Sequence, residues 1–373
     1  MKICFIGDST SIHTKRWYYY FESKGHSVNI ISWNNDPEYP QDKIHTLSTT
    51  LILNIKYFRA FYISLWVIRK IREISPDIIH IQMLSRYALG CFFIKDIPVI
   101  ISIGGYDILR VSQISRIHFL LNKKMLERAE GITTSTQFIQ RQLIDRFNID
   151  ADKIRCFCWG INYKLFSSVT LENSKIYKQK YNIPDNCAII FHNRYFPAAK
   201  HQALLEAIKK LKDSLSEFAL IIIKGISSDA DWESVREYAK SAGIDDKIVF
   251  INKHISQNEM GEFLSFSDIY INILTHDQRG LSILEAMAAG CIPAVNNLPA
   301  YREFIKDGVN GIIFDSEEPV YIAERLYYVI QNLGKLKQKY KRYNQEYIAE
   351  NDDREKNEHL MYKLYMDVMK KFK

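Results

Sequence analysis

The sequence predicts an α/β protein of two doubly wound parallel-sheet domains. Three observations carry that expectation. Short apolar runs alternate with longer amphipathic stretches along almost the whole chain. The rhythm stops near Trp159–Ser168 and then starts again. The 373 residues suffice for two ordinary domains, each with its own core. Strands that alternate with helices must be joined by crossovers, which gives parallel sheets covered on both faces.

The first series of strands is expected at Lys2–Ile6, Ser27–Ser32, Asp77–Ile81, Pro98–Ser102, Gly131–Thr134 and Arg155–Cys158. Helical patterns lie near 13–24, 54–74, 83–93, 112–130 and 136–147. The second series reads Ala188–His192, Phe218–Lys224, Lys247–Ile251, Asp268–Ile273, Ile292–Val295 and Gly311–Phe314. Its helices fit near 197–212, 229–242, 257–265, 281–289, 298–305, 317–332 and 335–348. Domains of 1–165 and 166–350 follow. In the tail, Leu360, Met361, Leu364, Tyr365 and Val368 stand at helical spacing. A final helix within 351–373 is therefore expected to pack back on the first domain.

Composition narrows the function. Hydrophobic residues are 47% and charged residues 25%, a globular profile that excludes a disordered or low-complexity chain. The opening MKICFIGD runs straight into a strand, without the apolar core of a secretory signal. No run of about 18 apolar residues is present to span a bilayer. Cys156 and Cys158 form C-x-C, not the C-x-x-C of a zinc or redox site. Most of the six cysteines sit in apolar runs, as buried thiols do, so a reduced, cytoplasmic protein is expected. Residues 1–165 carry 22 Lys+Arg against 14 Asp+Glu, and 166–373 carry 28 against 29. The positive excess of the first half fits either an anionic partner, such as a phosphorylated lipid or a membrane surface, or a solvated face. No zinc, helix-turn-helix or RNP-like pattern accompanies it, so a nucleic-acid role is not expected.

Ligands of open parallel sheets bind at the carboxyl ends of strands, so the loops there matter most. The richest is Asp277-Gln278-Arg279-Gly280-Leu281-Ser282-Ile283-Leu284-Glu285-Ala286-Met287-Ala288-Ala289-Gly290. Gly280 would let a ligand approach the backbone. The amides of Leu281, Ser282 and Ile283, with the helix dipole behind them, form a phosphate cradle. Glu285, one turn in, can reach a ribose hydroxyl, and Asp277 can meet a sugar hydroxyl. An ordinary strand–loop–helix with two solvated acids would fit the same residues.

This segment resembles the E-x7-E signature of the retaining glycosyltransferases of the GT-B fold, family 4-like, group 1. That family includes sucrose synthases and bacterial lipopolysaccharide and mannosyl transferases. Asp277 stands where the first Glu usually does, and Glu285 matches the second. The run Asn193-Arg194-Tyr195-Phe196-Pro197-Ala198-Ala199-Lys200 resembles the family's G-R-x-x-x-x-K, with Asn193 for the Gly and one extra residue between the cations. Such cations converge on a pyrophosphate and offset its charge as it leaves. At a helix start the dipole would otherwise disfavour them. Phe250-Ile251-Asn252-Lys253-His254 falls where the family has F-x-G beside the nucleobase, and Asn296–Phe314 follows a further family pattern through Glu303, Gly308 and Gly311.

The first half resembles the family more loosely. Gly7-Asp8-Ser9-Thr10-Ser11-Ile12-His13-Thr14-Lys15-Arg16-Trp17 is similar to G-D-x-x-S-x-H-x-x-R-W. The resemblance implies a catalytic place for His13 and donor contacts for Gly7 and Ser11. A histidine that packs on or caps the first helix would also fit. Gly104-Gly105-Tyr106-Asp107 stands where relatives carry H-G-x-D or W-G-S-D, so Gly105 and Asp107 match while the His or Trp is replaced by Gly104. Asp107 would also serve as a cap.

The resemblance implies GT-B architecture, two Rossmann-like domains facing across a cleft. It implies transfer with retention from a nucleoside-diphosphate sugar to a glycan or lipid-linked acceptor, in bacterial surface polysaccharide or lipopolysaccharide synthesis. The implied roles are Asp277, Arg194, Lys200 and His13 in catalysis. Glu285, Gly280, Leu281, Ser282, Ile283, His254, Gly7, Ser11, Gly105 and Asp107 would hold the donor. No cofactor and no metal are expected, and Asp229-Ala230-Asp231 reads as an acid-rich helix start instead of a metal-binding D-x-D. The stretch 56–72 has five cations and no acid, which suits either a buried helix or peripheral contact with the inner face of a membrane. Asp277 and Gly104 leave open a non-catalytic sugar-nucleotide-binding homologue. An epimerase on the same fold is a third, weaker alternative.

Overall fold

The apolar runs become the strands of two parallel sheets in the computed structural model, which describes residues 1–47, 56–109, 116–168, 172–192, 201–225 and 228–372. The first sheet holds β1 (Lys2–Ile6), β2 (Ser27–Ser32), β3 (Ile44–Thr46), β4 (Ile78–Gln82), β5 (Val99–Ser102), β6 (Gly131–Thr134) and β7 (Ile154–Cys156). Its order is β3-β2-β1-β4-β5-β6-β7. The second holds β8 (Ala188–His192), β9 (Phe218–Ile223), β10 (Ile248–Ile251), β11 (Ile269–Asn272), β12 (Ile292–Asn296) and β13 (Ile312–Phe314), in the order β10-β9-β8-β11-β12-β13. In both, the strand order reverses after the first strand. The reversal opens a crevice at the carboxyl ends of β1 and β4, and again at those of β8 and β11.

Burial explains why these segments are strands. All five residues of β4 and of β8 are buried, as a sheet covered on both faces demands. The helices bury one stripe each. Ser11 caps helix Ile12–Ser23, accepting from the His13 amide at 3.3 Å, and the helix buries Thr14, Trp17, Tyr18 and Phe21 at helical spacing. Helix His201–Ser214 buries Leu204, Leu205, Ile208 and Leu211 in the same way.

The chain forms two units, Met1–Cys158 with Glu358–Lys373, and Trp159–Asn357. Residues 159–165 and 351–357 thus belong to the second unit, where the sequence reading had grouped them with the first. The tail forms helices Leu333–Asn351 and Arg354–Phe372. In the latter, Met361, Leu364, Tyr365 and Val368 are buried. The Tyr365 hydroxyl lies 2.6 Å from His80 Nδ1, and His80 Nε2 lies 2.7 Å from Ser102 Oγ. Burial pushes the His80 imidazole down to about 3.

Several elements differ from expectation. The three-residue β3 is an addition. The helix expected over 83–93 is a 3₁₀ helix, Arg86–Phe93, and that over 298–305 shrinks to a 3₁₀ turn, Tyr301–Glu303. Helices Tyr163–Ser167 and Glu172–Lys180 were not anticipated.

Candidate functional site

In the second unit the loop after β11 leads into helix Leu281–Ala289, beside β8 at the reversal point. Gly280 is its N-cap and supplies no side-chain cap. The Ile283 amide donates to the Gly280 carbonyl at 3.0 Å. Of the three amides expected in the cradle, Ile283 is therefore used by the helix itself, while Leu281 and Ser282 stand ahead of its first bond. A Cβ at Gly280 would lie 2.7 Å from Asp277 Oδ2, so only glycine lets this carboxylate fold over the helix start. The helix ends at Gly290 in the left-handed conformation, φ +89°.

Asp277 is half-buried and firmly held. Tyr301 Oη donates to its Oδ2 at 2.8 Å, and the Gln278 amide donates to its Oδ1 at 2.7 Å. Asn272 in turn donates to Tyr301 Oη at 2.9 Å. Burial pushes the Asp277 carboxyl up, and the Tyr301 hydroxyl, the Gln278 amide and His276 pull it back. Glu285 is buried one turn into the helix. Arg279 anchors the loop from the other side. Its guanidinium meets Asp352 Oδ2 at 2.7 Å and Tyr347 Oη at 2.6 Å, and it lies over the Phe304 ring at 5.0 Å. Asn296, at the end of β12, accepts from the Leu274 amide at 3.2 Å and donates to the Leu274 carbonyl at 2.8 Å.

In the first unit Gly7 follows β1, and a Cβ there would sit 3.1 Å from the Cβ of Gln82 on the neighbouring β4. Ser11 and His13 are partly buried at the start of the first helix. Gly105 has φ +94°, a conformation that favours glycine. The Asp107 carboxylate accepts from the amides of Leu84 at 3.1 Å and Gly104 at 3.3 Å, which stitches the loop after β4 to the loop after β5. Burial pushes the Asp107 carboxyl up, against the pull of the Leu84, Gly104, Gly105 and Asp107 amides.

This geometry can be set beside known proteins. The family model for glycosyl transferases group 1 matches residues 173–347, and the glycosyl transferase 4-like model matches residues 2–137. The chain belongs to the group 1, glycosyl transferase 4-like family. Its two parallel-sheet units have the GT-B fold of that family. The alpha-monoglucosyldiacylglycerol synthase of Acholeplasma laidlawii is 23% identical over 83% of this chain and 82% of its own. A glycosyltransferase structure from Rickettsia africae aligns with TM-score 0.80 at 19% identity, over 99% of this chain and 98% of the other. The Anabaena protein HepE, solved in complex with UDP-glucose, aligns with TM-score 0.79 at 14% identity, over 98% and 100%. The chain spans about half the length of the first curated relatives it matches, 51% and 44%.

In family terms, Asp277, Gly280, Leu281, Ser282, Ile283 and Glu285 gather on one loop and helix at the second reversal point. Gly7, Ser11 and His13 follow β1 at the first, while Gly105 and Asp107 follow β5, on the far side of β4 from β1. Arg194 and Lys200 lie outside the described residues, in 193–200. His254 is exposed after β10, the edge strand, with β9 between it and β8. Asp229 and Asp231 open helix Asp229–Ser241, where Ser228 caps the Asp231 amide and Asp229 pairs with Lys224. Among the described residues no three His, Cys, Asp or Glu side chains gather as a metal site.

The sequence reading missed the supporting cast. Tyr301, Arg279 and Asn296 fix the Asp277 loop through partners remote in sequence. His192, fully buried at the end of β8, was read only as a strand residue. Its Nδ1 lies 3.3 Å from the Ile271 carbonyl and must donate there. Burial keeps this ring neutral by pushing its pKa well down. Its Nε2 therefore accepts from His201 Nδ1 at 3.0 Å. The pair bridges the two ends of segment 193–200. A histidine ending an otherwise apolar strand is the one signal that pointed to it.

Proposed function

We propose that this chain transfers a sugar from a nucleoside-diphosphate sugar to a glycan or lipid-linked acceptor, with retention of configuration. The observation that carries the reading is the uncapped helix start at Gly280, placed at the reversal of the second sheet with Glu285 one turn in. The amides of Leu281 and Ser282 receive the donor's phosphates at the positive end of the helix. Arg194 and Lys200 complete the diphosphate clamp and offset the charge of the leaving group. Glu285 holds the ribose, and Asp277, locked by Tyr301, orients the donor sugar. His13 serves at the first reversal point, and Gly105 in the loop after β5. The clamp is made of protein cations, so the reaction needs no metal, and full activity in EDTA is expected.

Two observations on relatives support the donor class. HepE is solved with UDP and with UDP-glucose. A lipid-linked acceptor is supported by the name of the Acholeplasma synthase. It is also supported by the exposed Phe61, Tyr62 and Leu65 on helix Lys56–Ile74, beside the exposed cations Arg69 and Arg72. Among the described residues no helix is long and apolar enough to cross a membrane. Surface polysaccharide or lipopolysaccharide assembly at the inner face of the membrane is the setting that fits these features.

The test is product analysis. The protein is incubated with UDP-, GDP- and ADP-sugars and a panel of polyprenyl-diphosphate and glycan acceptors. Release of nucleoside diphosphate with a new linkage of unchanged anomeric configuration, read by proton NMR couplings, is expected. Inverted linkages would refute retention. Binding of a sugar nucleotide without turnover on any acceptor would favour a non-catalytic homologue, for which the commitment of Asp277 to Tyr301 and Gln278 already speaks.

A further inference from the structure

The second unit carries a groove between helices His201–Ser214 and Pro319–Gln331, which pack against each other. The groove holds about 420 Å³, with Lys210 on one wall and Val320, Glu324 and Tyr327 on the other. Leu211 and Ala323 make its floor, and both belong to the core beneath. Val320, Glu324 and Tyr327 stand at i, i+4 and i+7, so they form one stripe of their helix. Val320 is 50% exposed and Tyr327 is 41% exposed. The face of a helix opposite its buried stripe is ordinarily polar. Two large apolar side chains lining one open groove are therefore a contact surface without its partner.

The charges around the groove say what that partner is. Lys210 and Glu324 are both exposed. Their neighbours are committed, since Lys212 Nζ meets Asp246 Oδ1 at 2.7 Å and Arg325 pairs with Asp307. Among the described residues neither Lys210 nor Glu324 has an ion-pair partner, although they face each other across one groove. A positive wall, an apolar floor and a negative wall make a surface that matches its own copy. A two-fold axis along the groove lays each copy's Lys210 against the other's Glu324, so the contact is made twice. The order also fits an interface, apolar in the middle and polar at the edges. A ligand pocket converges its polar groups inward, whereas these two stand on opposite rims.

We propose that this groove is the contact surface for a second copy of the chain, in a two-fold dimer joined through the second unit. Val320 and Tyr327 of each copy cover the other's groove, and Lys210 pairs with Glu324 across the axis on both sides. Removing the apolar stripes from water supplies the attraction. The two reciprocal ion pairs set the orientation. An axis laid across the groove instead would bring Lys210 toward Lys210 and Glu324 toward Glu324, and like charges oppose that arrangement. The inference does not rest on the transferase reading, because none of the groove residues belongs to the Gly280 loop or to the loops of the first unit.

Sedimentation equilibrium of the whole chain at micromolar concentrations reads the association directly, and a reversible dimer is expected. Lys210→Glu sets an acid against Glu324 at both contacts, and Glu324→Lys sets a cation against Lys210. Each should weaken dimerisation at least about tenfold. Both positions are exposed and Lys and Glu are both good helix formers, so the variants keep the fold, which their melting temperatures check. The double variant Lys210→Glu/Glu324→Lys should dimerise like the native chain. An equimolar mixture of the two single variants, each largely monomeric alone, should form a mixed dimer, because opposite charges then meet at both contacts. Tyr327→Ser, which leaves the charges alone, should also weaken association. A native chain that stays monomeric across this range would overturn the proposal. So would single variants that dimerise as tightly as the native chain, or a mixture in which no mixed dimer forms.

Discussion

The two units share the same strand order around the reversal point and equip it in opposite ways. In the second, the helix start is bare backbone, and the loop before it is held from behind by Tyr301, Arg279 and Asn296. In the first, Ser11 caps the helix, and side chains of Gln82 and Asp107 fill the edge. Bare amides suit an anion, and oriented side chains suit hydroxyls. The topology supplies two similar crevices, and the loops alone decide what each can hold.

Four changes would break or sharpen this contrast, and the largest effect is expected from acid. His80 in the first unit has a folded pKa of about 3, against 6.5 when unfolded. The unfolded chain takes up its proton first, so stability is present above pH 6.5 and is lost as pH falls toward 3. The loss amounts to roughly 5 kcal/mol in total. His192 pulls the second unit the same way. Urea unfolding between pH 7 and pH 4 measures the slope, and His80→Gln should flatten it. Next, Arg279→Ala removes the guanidinium that meets the Asp352 carboxylate, whose side chain is 1% exposed, and should lower unfolding free energy by about 3 kcal/mol. Ser85→Ala, beside Gln82 in the first unit, should leave stability unchanged, because Ser85 Oγ has no hydrogen-bond partner.

A third, more local change is Gly280→Ala. Its Cβ displaces the Asp277 carboxylate, so nucleotide affinity should fall at least about tenfold by calorimetry, about 1.4 kcal/mol. The smallest effect belongs to Gly290→Ala. The left-handed backbone and the Lys341 side chain 3.1 Å from the new Cβ give about 1 kcal/mol, read from the melting temperature, with nucleotide affinity intact.

The strands were legible because buried parallel strands are continuous apolar runs, and β8 or β9 could hardly be anything else. β3 was not, since Ile-His-Thr buries one residue fully and takes its strand form from pairing with β2. The 83–93 stretch has the apolar spacing of an α-helix, yet Asp107 holds the Leu84 amide and Met83 turns left-handed before it. Neither constraint is visible locally. The same holds at the site. Gly280 and Glu285 could be read from one segment together with its resemblance. Arg279 finds its ion-pair partner 73 residues away, and Tyr301 finds Asp277 24 residues away. A single sequence encodes such pairs but gives no local sign of them.

The central claim is that the reversal point of the second sheet, with the segment that carries Arg194, binds a nucleoside-diphosphate sugar. The most direct measurement is thermal stabilisation by UDP-, GDP- and ADP-sugars, compared between the native chain and Arg194→Ala. A ligand that binds only the folded state raises the melting temperature with the logarithm of its concentration over Kd. The account predicts a concentration-dependent rise with one donor class, largely lost in Arg194→Ala. A rise unaltered by that substitution, or none with any donor, would contradict it.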